Sequence, residues 1–275
     1  MQPDRYAVMG NPIAHSKSPR IHTLFAEQTQ QNLRYDAILV ALDGFAAAVD
    51  AFRQAGGKGL NITVPFKQQA WDYVAERSTR AERAGAVNTM LFDAAGRCYG
   101  DNTDGVGLVR DLVDNHGITI AGSDILILGA GGAVRGVLGP LLEQGPTKVT
   151  IANRTVDRAQ ELAGAFASSD VTACGYDALG AQSFHVIING TSASLQGDLP
   201  PLPDSVLRCG GCAYDMMYGA QPTPFLTWAA AHGAGNAIDG LGMLVEQAAE
   251  SFHLWRGVRP QTSSVIESLR KDLGR

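Results

Sequence analysis

With 275 residues, 45% apolar and 18% charged, the chain is long enough for two domains and able to bury a sizeable core, unlike a disordered or low-complexity protein. A formal net charge of −5 excludes the basic face of a nucleic-acid-binding protein, so an anionic ligand must be held by local groups. No apolar run reaches the ~18 residues of a membrane span, and the N-terminus lacks the basic segment, apolar core and cleavage site of a leader, which makes the cytoplasm the expected compartment.

In chain order, strand-like and helix-like periods alternate: strand 6–9, helix 19–28, strand 35–42, helix 44–55, strand 59–64 and helix 66–76. A hairpin of 88–92 and 98–100 turns at Asp93-Ala-Ala-Gly96, and Asp101-Asn-Thr-Asp104 leads into a helix through Leu112. After a turn at His116-Gly117 the pattern restarts, with an unbroken apolar strand 124–128, a glycine-rich turn, a helix to about 144 and a strand 148–152. This restart predicts a second α/β domain. Further strands are predicted at 186–188, 213–217 and 237–238, a surface loop at Pro200-Pro-Leu-Pro203, and closing helices at 242–255 and 262–273.

Cys98, Cys174, Cys209 and Cys212 read as thiols in a reducing compartment. Cys209-Gly-Gly-Cys212 lacks the second pair of a zinc ribbon and the following helix of a thioredoxin motif, so it reads as a glycine-rich turn entering a strand.

Gly129-Ala130-Gly131-Gly132-Ala133-Val134 follows a buried-type strand and opens a helix, the context in which G-x-G-x-x-G signals a dinucleotide. Gly129 permits the tight turn, Gly131 lets the backbone approach a pyrophosphate, and the helix N-terminus offers free N–H groups. The third position is Val134, bulkier than the usual Gly or Ala. Where an NAD site wants a carboxylate about 20 residues on, this chain has Asn153-Arg154-Thr155, with Arg158 close by, which favours a 2′-phosphate and hence NADP(H). The plain alternative is that both arginines are solvated charges at a helix start.

In Asn61-Ile-Thr63-Val-Pro65-Phe-Lys67, the residue before proline is driven to an extended conformation and Pro65 suits a first helical turn, so the strand is predicted to end at Val64. Lys67 then lies in a first helical turn at the C-terminal edge of the sheet, where open α/β sheets bind ligands. The dipole there opposes a cation by only about 0.3–1 kcal/mol, which leaves Lys67 a proton source or a hydrogen-bond donor to a developing alkoxide, or else an ordinary surface lysine. Ser18-Pro19 reads as an N-cap and N1 pair, and Ser16 and Ser18 together can hold a carboxylate or simply cap a helix.

Ser16-Lys-Ser18-Pro19, the Asn61–Lys67 stretch, Gly85-Ala-Val-Asn88-Thr89, Asn102-Thr-Asp104-Gly105, the Gly129–Ala133 turn, Asn153-Arg154-Thr155 and Asp239-Gly-Leu-Gly-Met-Leu-Val-Glu-Gln247 together resemble the shikimate dehydrogenase family, in its order and over essentially the whole chain. The resemblance implies a two-domain α/β fold. In it, an N-terminal substrate domain of residues 1–104 plus 240–275 and a Rossmann-type NADP-binding domain of 105–239 face each other across a cleft. It implies reversible NADPH-dependent reduction of 3-dehydroshikimate to shikimate, on the route to chorismate and the aromatic amino acids, by a monomer or homodimer. Ser16 and Ser18 would bind the substrate carboxylate with Tyr218 nearby. Thr63, Asn88, Asp104 and Gln247 would contact its hydroxyls, and Lys67 and Asp104 would form the catalytic pair. Gly129 to Ala133, Asn153, Arg154, Thr155, Arg158, Thr191, Met216 and Gly240 would hold the cofactor. One departure is Gly190, where relatives often have Ala. The rivals are a quinate or mixed quinate/shikimate paralogue with NAD preference, a non-catalytic NADP sensor, which would need neither Lys67 nor Asp104, and a thiol redox protein built on Cys209 and Cys212.

Overall fold

A computed structural model describes residues 2–93, 95–166, 170–191, 193 and 197–274, and in it the apolar runs build two six-stranded sheets. Each sheet belongs to one of two compact units, Met1–Gly107 with Val245–Ser268 and Leu108–Leu244 with Leu269–Arg275.

The first unit contains β1 (Asp4–Gly10), α1 (Ser18–Thr29), β2 (Leu33–Leu39), α2 (Phe45–Gln54), β3 (Gly57–Ile62), α3 (Lys67–Tyr73), β4 (Glu76–Arg77), α4 (Thr79–Ala84), β5 (Thr89–Phe92) and β6 (Cys98–Asp101). Its sheet runs β2-β1-β3-β5-β6-β4, parallel across the first three strands and antiparallel across β3, β5 and β6. Alternate side chains of β1 feed opposite faces: Ala7 and Met9 join Phe45, Val49, Leu60, Phe66 and Met90, while Tyr6 and Val8 join Ile13 and Tyr35. Both faces are thus buried, and a period of two accounts for an apolar run with no polar side.

The second unit contains β7 (Asp124–Leu128), α6 (Gly132–Leu142), β8 (Lys148–Ala152), α7 (Val156–Ala165), β9 (Val171–Cys174), β10 (Phe184–Asn189), β11 (Leu207–Asp215), α8 (Pro224–Ala231) and β12 (Asn236–Asp239). All strands are parallel in the order β12-β11-β10-β7-β8-β9, the doubly wound order of dinucleotide-binding sheets. Ile125 and Ile127 pack with Val134, Val137 and Leu138, whereas Leu126 and Leu128 pack with Phe225, Leu226 and Ala229. The chain between the sheets forms α5 (Asp104–Arg110), prolonged by a π-helical turn at Asp111–Asn115, and the chain ends in α9 (Leu241–Arg256) and α10 (Ser263–Asp272).

Several expectations are corrected. β3 stops at Ile62, not Val64: the Thr63 N–H still donates to Met9 O at 3.0 Å, but the chain then turns through a cis Val64–Pro65 peptide. Pro65 precedes α3, with Phe66 at its N-cap, and α3 is shorter than the 66–76 predicted. β11 begins at Leu207 and ends at Asp215, ahead of the predicted 213–217, with a bulge that pairs Phe184 with Leu207 but Val186 with Cys212. Cys209 is exposed beside this bulge, while Cys212 lies in the core with its thiol pushed up to about 12 by burial. β4, α4, β9 and α8 were not anticipated. The hairpin pairs Phe92 with Cys98 as foreseen, although Ala94 in its turn lies outside the described residues.

His22 of α1 is fully buried, stacked on Tyr35 at 4.2 Å and tilted against Trp255, with neither ring nitrogen hydrogen-bonded. Burial lowers its pKa to about 3, the nearby Asn61 amide opposing this only in part. The folded state therefore keeps the ring neutral while the unfolded chain takes up a proton below about 6.5, so stability is fully present above that pH and falls as the pH drops towards 3. The slope is about 1.4 kcal/mol per pH unit. Urea unfolding of His22→Phe between pH 6.5 and 4 is expected to show that much less acid destabilisation per unit than the parent chain; equal slopes would remove His22 as its source.

Candidate active site

In the first unit a buried polar cluster gathers where β3, β5, β6 and α9 bring their side chains together. The Lys67 Nζ, at the first residue of α3, lies 2.5 Å from Asp104 Oδ2, at the first residue of α5. Lys67 is about a quarter exposed and Asp104 about a tenth, so the pair is reachable yet poorly screened. The other carboxylate oxygen of Asp104 accepts from Asn88 Nδ2 at 2.7 Å. The orientation of that amide follows from its surroundings: Asn88 Oδ1 accepts from the backbone N–H of Thr103 at 2.9 Å, a donor that cannot reverse its role. Nδ2 must therefore face Asp104, and Oδ1 of Asp104 is committed as an acceptor.

Behind this sits a second layer to which the sequence reading gave no role. Asn61 Nδ2 lies 3.0 Å from Ser251 Oγ and 3.1 Å from Thr89 Oγ1, and its Oδ1 accepts from the Tyr35 hydroxyl at 2.7 Å. Arg80 grips Asp101 through two bonds of 2.7 Å and reaches Glu250 at 3.1 Å, which Arg259 also binds. Ser251 and Glu250, four and three positions from Gln247, and Asp101, three from Asp104, are thereby fixed from the inside. Asn61 carried a signal as a polar residue within an apolar strand; Arg80, Glu250, Ser251 and Arg259 look like ordinary helix or loop residues.

Among the remaining first-unit candidates, Gln247 Oε1 lies 3.4 Å from both Asn88 Nδ2 and Thr103 Oγ1, so it joins the cluster. Thr63 is half-buried, with its methyl in the space a side chain at Gly10 would need. Ser18 is not the N-cap of α1. Lys17 holds that position without a side-chain cap, Ser18 is the first helical residue, and the Ser16 hydroxyl accepts from its N–H at 3.3 Å.

In the second unit a cavity of about 760 Å³ opens beside the glycine turn, lined by Gly129 to Ala133, Asn153, Arg154, Gly190 and Thr191 among others. Gly129 has φ +101°, and added Cβ atoms at Gly131 and Gly132 would meet nothing within 4 Å. α6 begins at Gly132 with Gly131 at its N-cap and no side-chain cap, so its first N–H groups face the cavity unspent. Asn153 donates from Nδ2 to Thr155 O at 2.8 Å, leaving Arg154 exposed at the rim where a carboxylate would disfavour a phosphate. The size, the bare glycine turn and this cation fit a dinucleotide bearing a 2′-phosphate.

Some cofactor candidates stand elsewhere. Thr155 and Arg158 are exposed on α7 or just before it and do not line the cavity. Met217 lines it; Met216 is buried beneath, with its sulfur 3.2 Å from where a Gly190 Cβ would lie. Gly240 supports the Met216 backbone, since a Cβ there would lie 2.3 Å from Met216 O. Tyr218, past the end of β11, is half-buried in this unit, and burial raises its phenol with the Asp239 charge adding to the shift.

Family models match three stretches: the shikimate dehydrogenase substrate binding domain at residues 8–90, shikimate / quinate 5-dehydrogenase at 111–196, and the shikimate 5′-dehydrogenase C-terminal domain at 240–270. The shikimate dehydrogenase (NADP(+)) of Alkalilimnicola ehrlichii is 62% identical over 270 residues, covering 98% of this chain and 99% of that protein. Among solved structures, an Ael1 enzyme from Pseudomonas putida is 49% identical with a TM-score of 0.92, covering 97% of this chain and 98% of its own. Shikimate 5-dehydrogenase from Thermus thermophilus in complex with NADP(H) and shikimate is 35% identical with a TM-score of 0.86, covering 98% of this chain and 99% of its own.

The two departures from the usual pattern are one contact. A Cβ on Gly190 would lie 2.4 Å from the Val134 Cγ2, and Val134 is fully buried. Gly190→Ala is expected to cost about 1–3 kcal/mol by overpacking, and Val134→Ala in the same chain to recover most of it. Urea unfolding of the two single variants and the double variant checks this; additive costs would show that the positions do not share space.

Proposed function

We propose that this chain, which belongs to the shikimate dehydrogenase family, catalyses the reversible NADP-dependent interconversion of 3-dehydroshikimate and shikimate in aromatic biosynthesis. The observation that carries the reading is the Lys67–Asp104 pair at 2.5 Å, since a module that only binds a nucleotide has no use for it. The substrate half is read as residues 1–104 with 240–275, and the nucleotide half as 105–239.

When bound, NADP(H) supplies or accepts the hydride. The chain's own residues handle charge and placement. During reduction the ketone oxygen gains negative charge, and Lys67, facing it with its ammonium, stabilises that charge while the Lys67–Asp104 pair delivers to the oxygen the proton that completes the alcohol. Asn88 keeps Asp104 an acceptor, so the pair is poised in one sense: the carboxylate holds Lys67 in place and takes back the proton in the oxidative direction. Thr63, Asn88 and Gln247 are read as partners of the substrate hydroxyls, and Ser16, Ser18 and Tyr218 as partners of its carboxylate. Gly129 to Ala133, Asn153, Arg154 and Thr191 are read as the cofactor's hold. Among the described residues no helix is long and apolar enough to cross a membrane, and the compartment inferred is the cytoplasm, with the chain acting as monomer or homodimer on a small-molecule substrate.

Steady-state assays with shikimate and quinate, each with NADP and NAD, test the reaction; activity confined to quinate with NAD would overturn it. Lys67→Ala is expected to lower kcat by about 10²- to 10⁴-fold with little change in KM, and near-normal kcat would return Lys67 to the surface. Arg154→Ala is expected to weaken NADPH about 10- to 150-fold while sparing NADH, read from the two KM values; an unchanged preference would remove Arg154 from the 2′-phosphate.

A further inference from the structure

The strand β9, which periodicity did not reveal, places one more side chain at the nucleotide cavity. Beyond the paired strands, the Asn153 N–H donates to Cys174 O at 3.2 Å, so the chain leaving β9 emerges beside Asn153 and Arg154. It then turns closely against the start of α7: a Cβ on Gly175 would lie 3.3 Å from Val156 Cγ2 and 2.4 Å from Asp177 Oδ1, the neighbouring carboxylate that folds back over this glycine. The next residue, Tyr176, lines the cavity together with Asn153 and Arg154. Its ring is anchored on the apolar cluster of Leu126, Phe184 and Phe225, so it is held at one edge rather than free to swing.

We infer that Tyr176 is a further specificity-determining residue of the nucleotide site, its hydroxyl donating a hydrogen bond to the adenosine 2′-phosphate alongside Arg154. The adenosine ribose of a doubly wound site lies at the end of the second strand, here β8, and the third strand's end is the next position outward, where a 2′-substituent projects. A phosphate dianion at that place accepts several donors, and Arg154 by itself leaves oxygen lone pairs open. Burial raises the Tyr176 phenol above its ordinary value, with the Arg154 charge drawing it partly back, so the hydroxyl keeps its proton and acts as a donor at neutral pH. A tyrosine would be a poor partner for the unmodified 2′-hydroxyl of NAD compared with a carboxylate, which sharpens the choice between the two cofactors.

The inference rests on the NADP reading, and the test separates the two. Isothermal titration of the full chain with 2′,5′-ADP and with 5′-AMP, in the absence of substrate, reads the 2′-phosphate alone. The parent chain is expected to prefer 2′,5′-ADP; Tyr176→Phe, which keeps the ring, is expected to bind 2′,5′-ADP about tenfold more weakly and 5′-AMP within about twofold of the parent. A parent chain that binds both equally would overturn the NADP reading and the role of Tyr176 with it. A parent that discriminates, with Tyr176→Phe unchanged or weakened equally for both ligands, would overturn Tyr176 alone.

Discussion

The backbone N–H of Thr103 points at Asn88 Oδ1, and much of the first unit's polar chemistry is ordered by that bond. A main-chain amide can only donate, so it settles which end of the Asn88 side chain faces Asp104, and Asp104 in turn holds Lys67. Side-chain hydroxyls at Thr89, Thr103 and Ser251 adapt to this direction because each can donate or accept. Asn61 then closes the network against Tyr35, so the polar chain runs from the Lys67–Asp104 pair into an aromatic core without a break. A buried network satisfied in this way is rigid, and it holds Lys67 and Asp104 in one geometry.

The second unit solves a different problem, holding a polyanion in a chain whose net charge is −5. The groups it offers are local: the start of α6 without a side-chain cap, a glycine turn with open space beside it, and, among the described lining residues, the cation Arg154 at the end of β8. The sheet supplies the placement, since parallel strands in doubly wound order end side by side on one edge.

Much of this was legible in the sequence, for physical reasons that differ from element to element. The run Asp124-Ile-Leu-Ile-Leu could be read as a parallel strand because two cores claim its alternate residues, which leaves no polar side. Gly129 to Ala133 was readable because a bare backbone at a strand-to-helix turn has few other uses. Lys67 was placed in a first helical turn, three residues after the strand's assumed end at Val64, and it does open α3, although the real turn comes earlier and through a cis bond. By contrast α4, six residues long, is too short for a helical period, and its marks were only the Ser78 cap, which accepts from Ala81 N, and the left-handed Gly85. β9 is a four-residue edge strand with a half-exposed face, and α8 announced itself only through Thr223-Pro224, a cap and first-turn pair that passed unread. Ser251, Thr103 and Arg80 gave no signal, because what makes them matter is the neighbour each meets across the fold.

The fit of Val134 against Gly190 bears on how this protein could be re-engineered. Consensus design replaces unusual residues one at a time with the commoner choice, and each of these positions, viewed singly, invites such a repair. Restoring the commoner alanine at 190 would drive a methyl into the valine, whereas trimming the valine first would open a void that the alanine then fills. The two positions are therefore best changed together: a chimaera that takes alanine at 190 from one parent and keeps Val134 from the other would inherit a clash beneath its glycine turn.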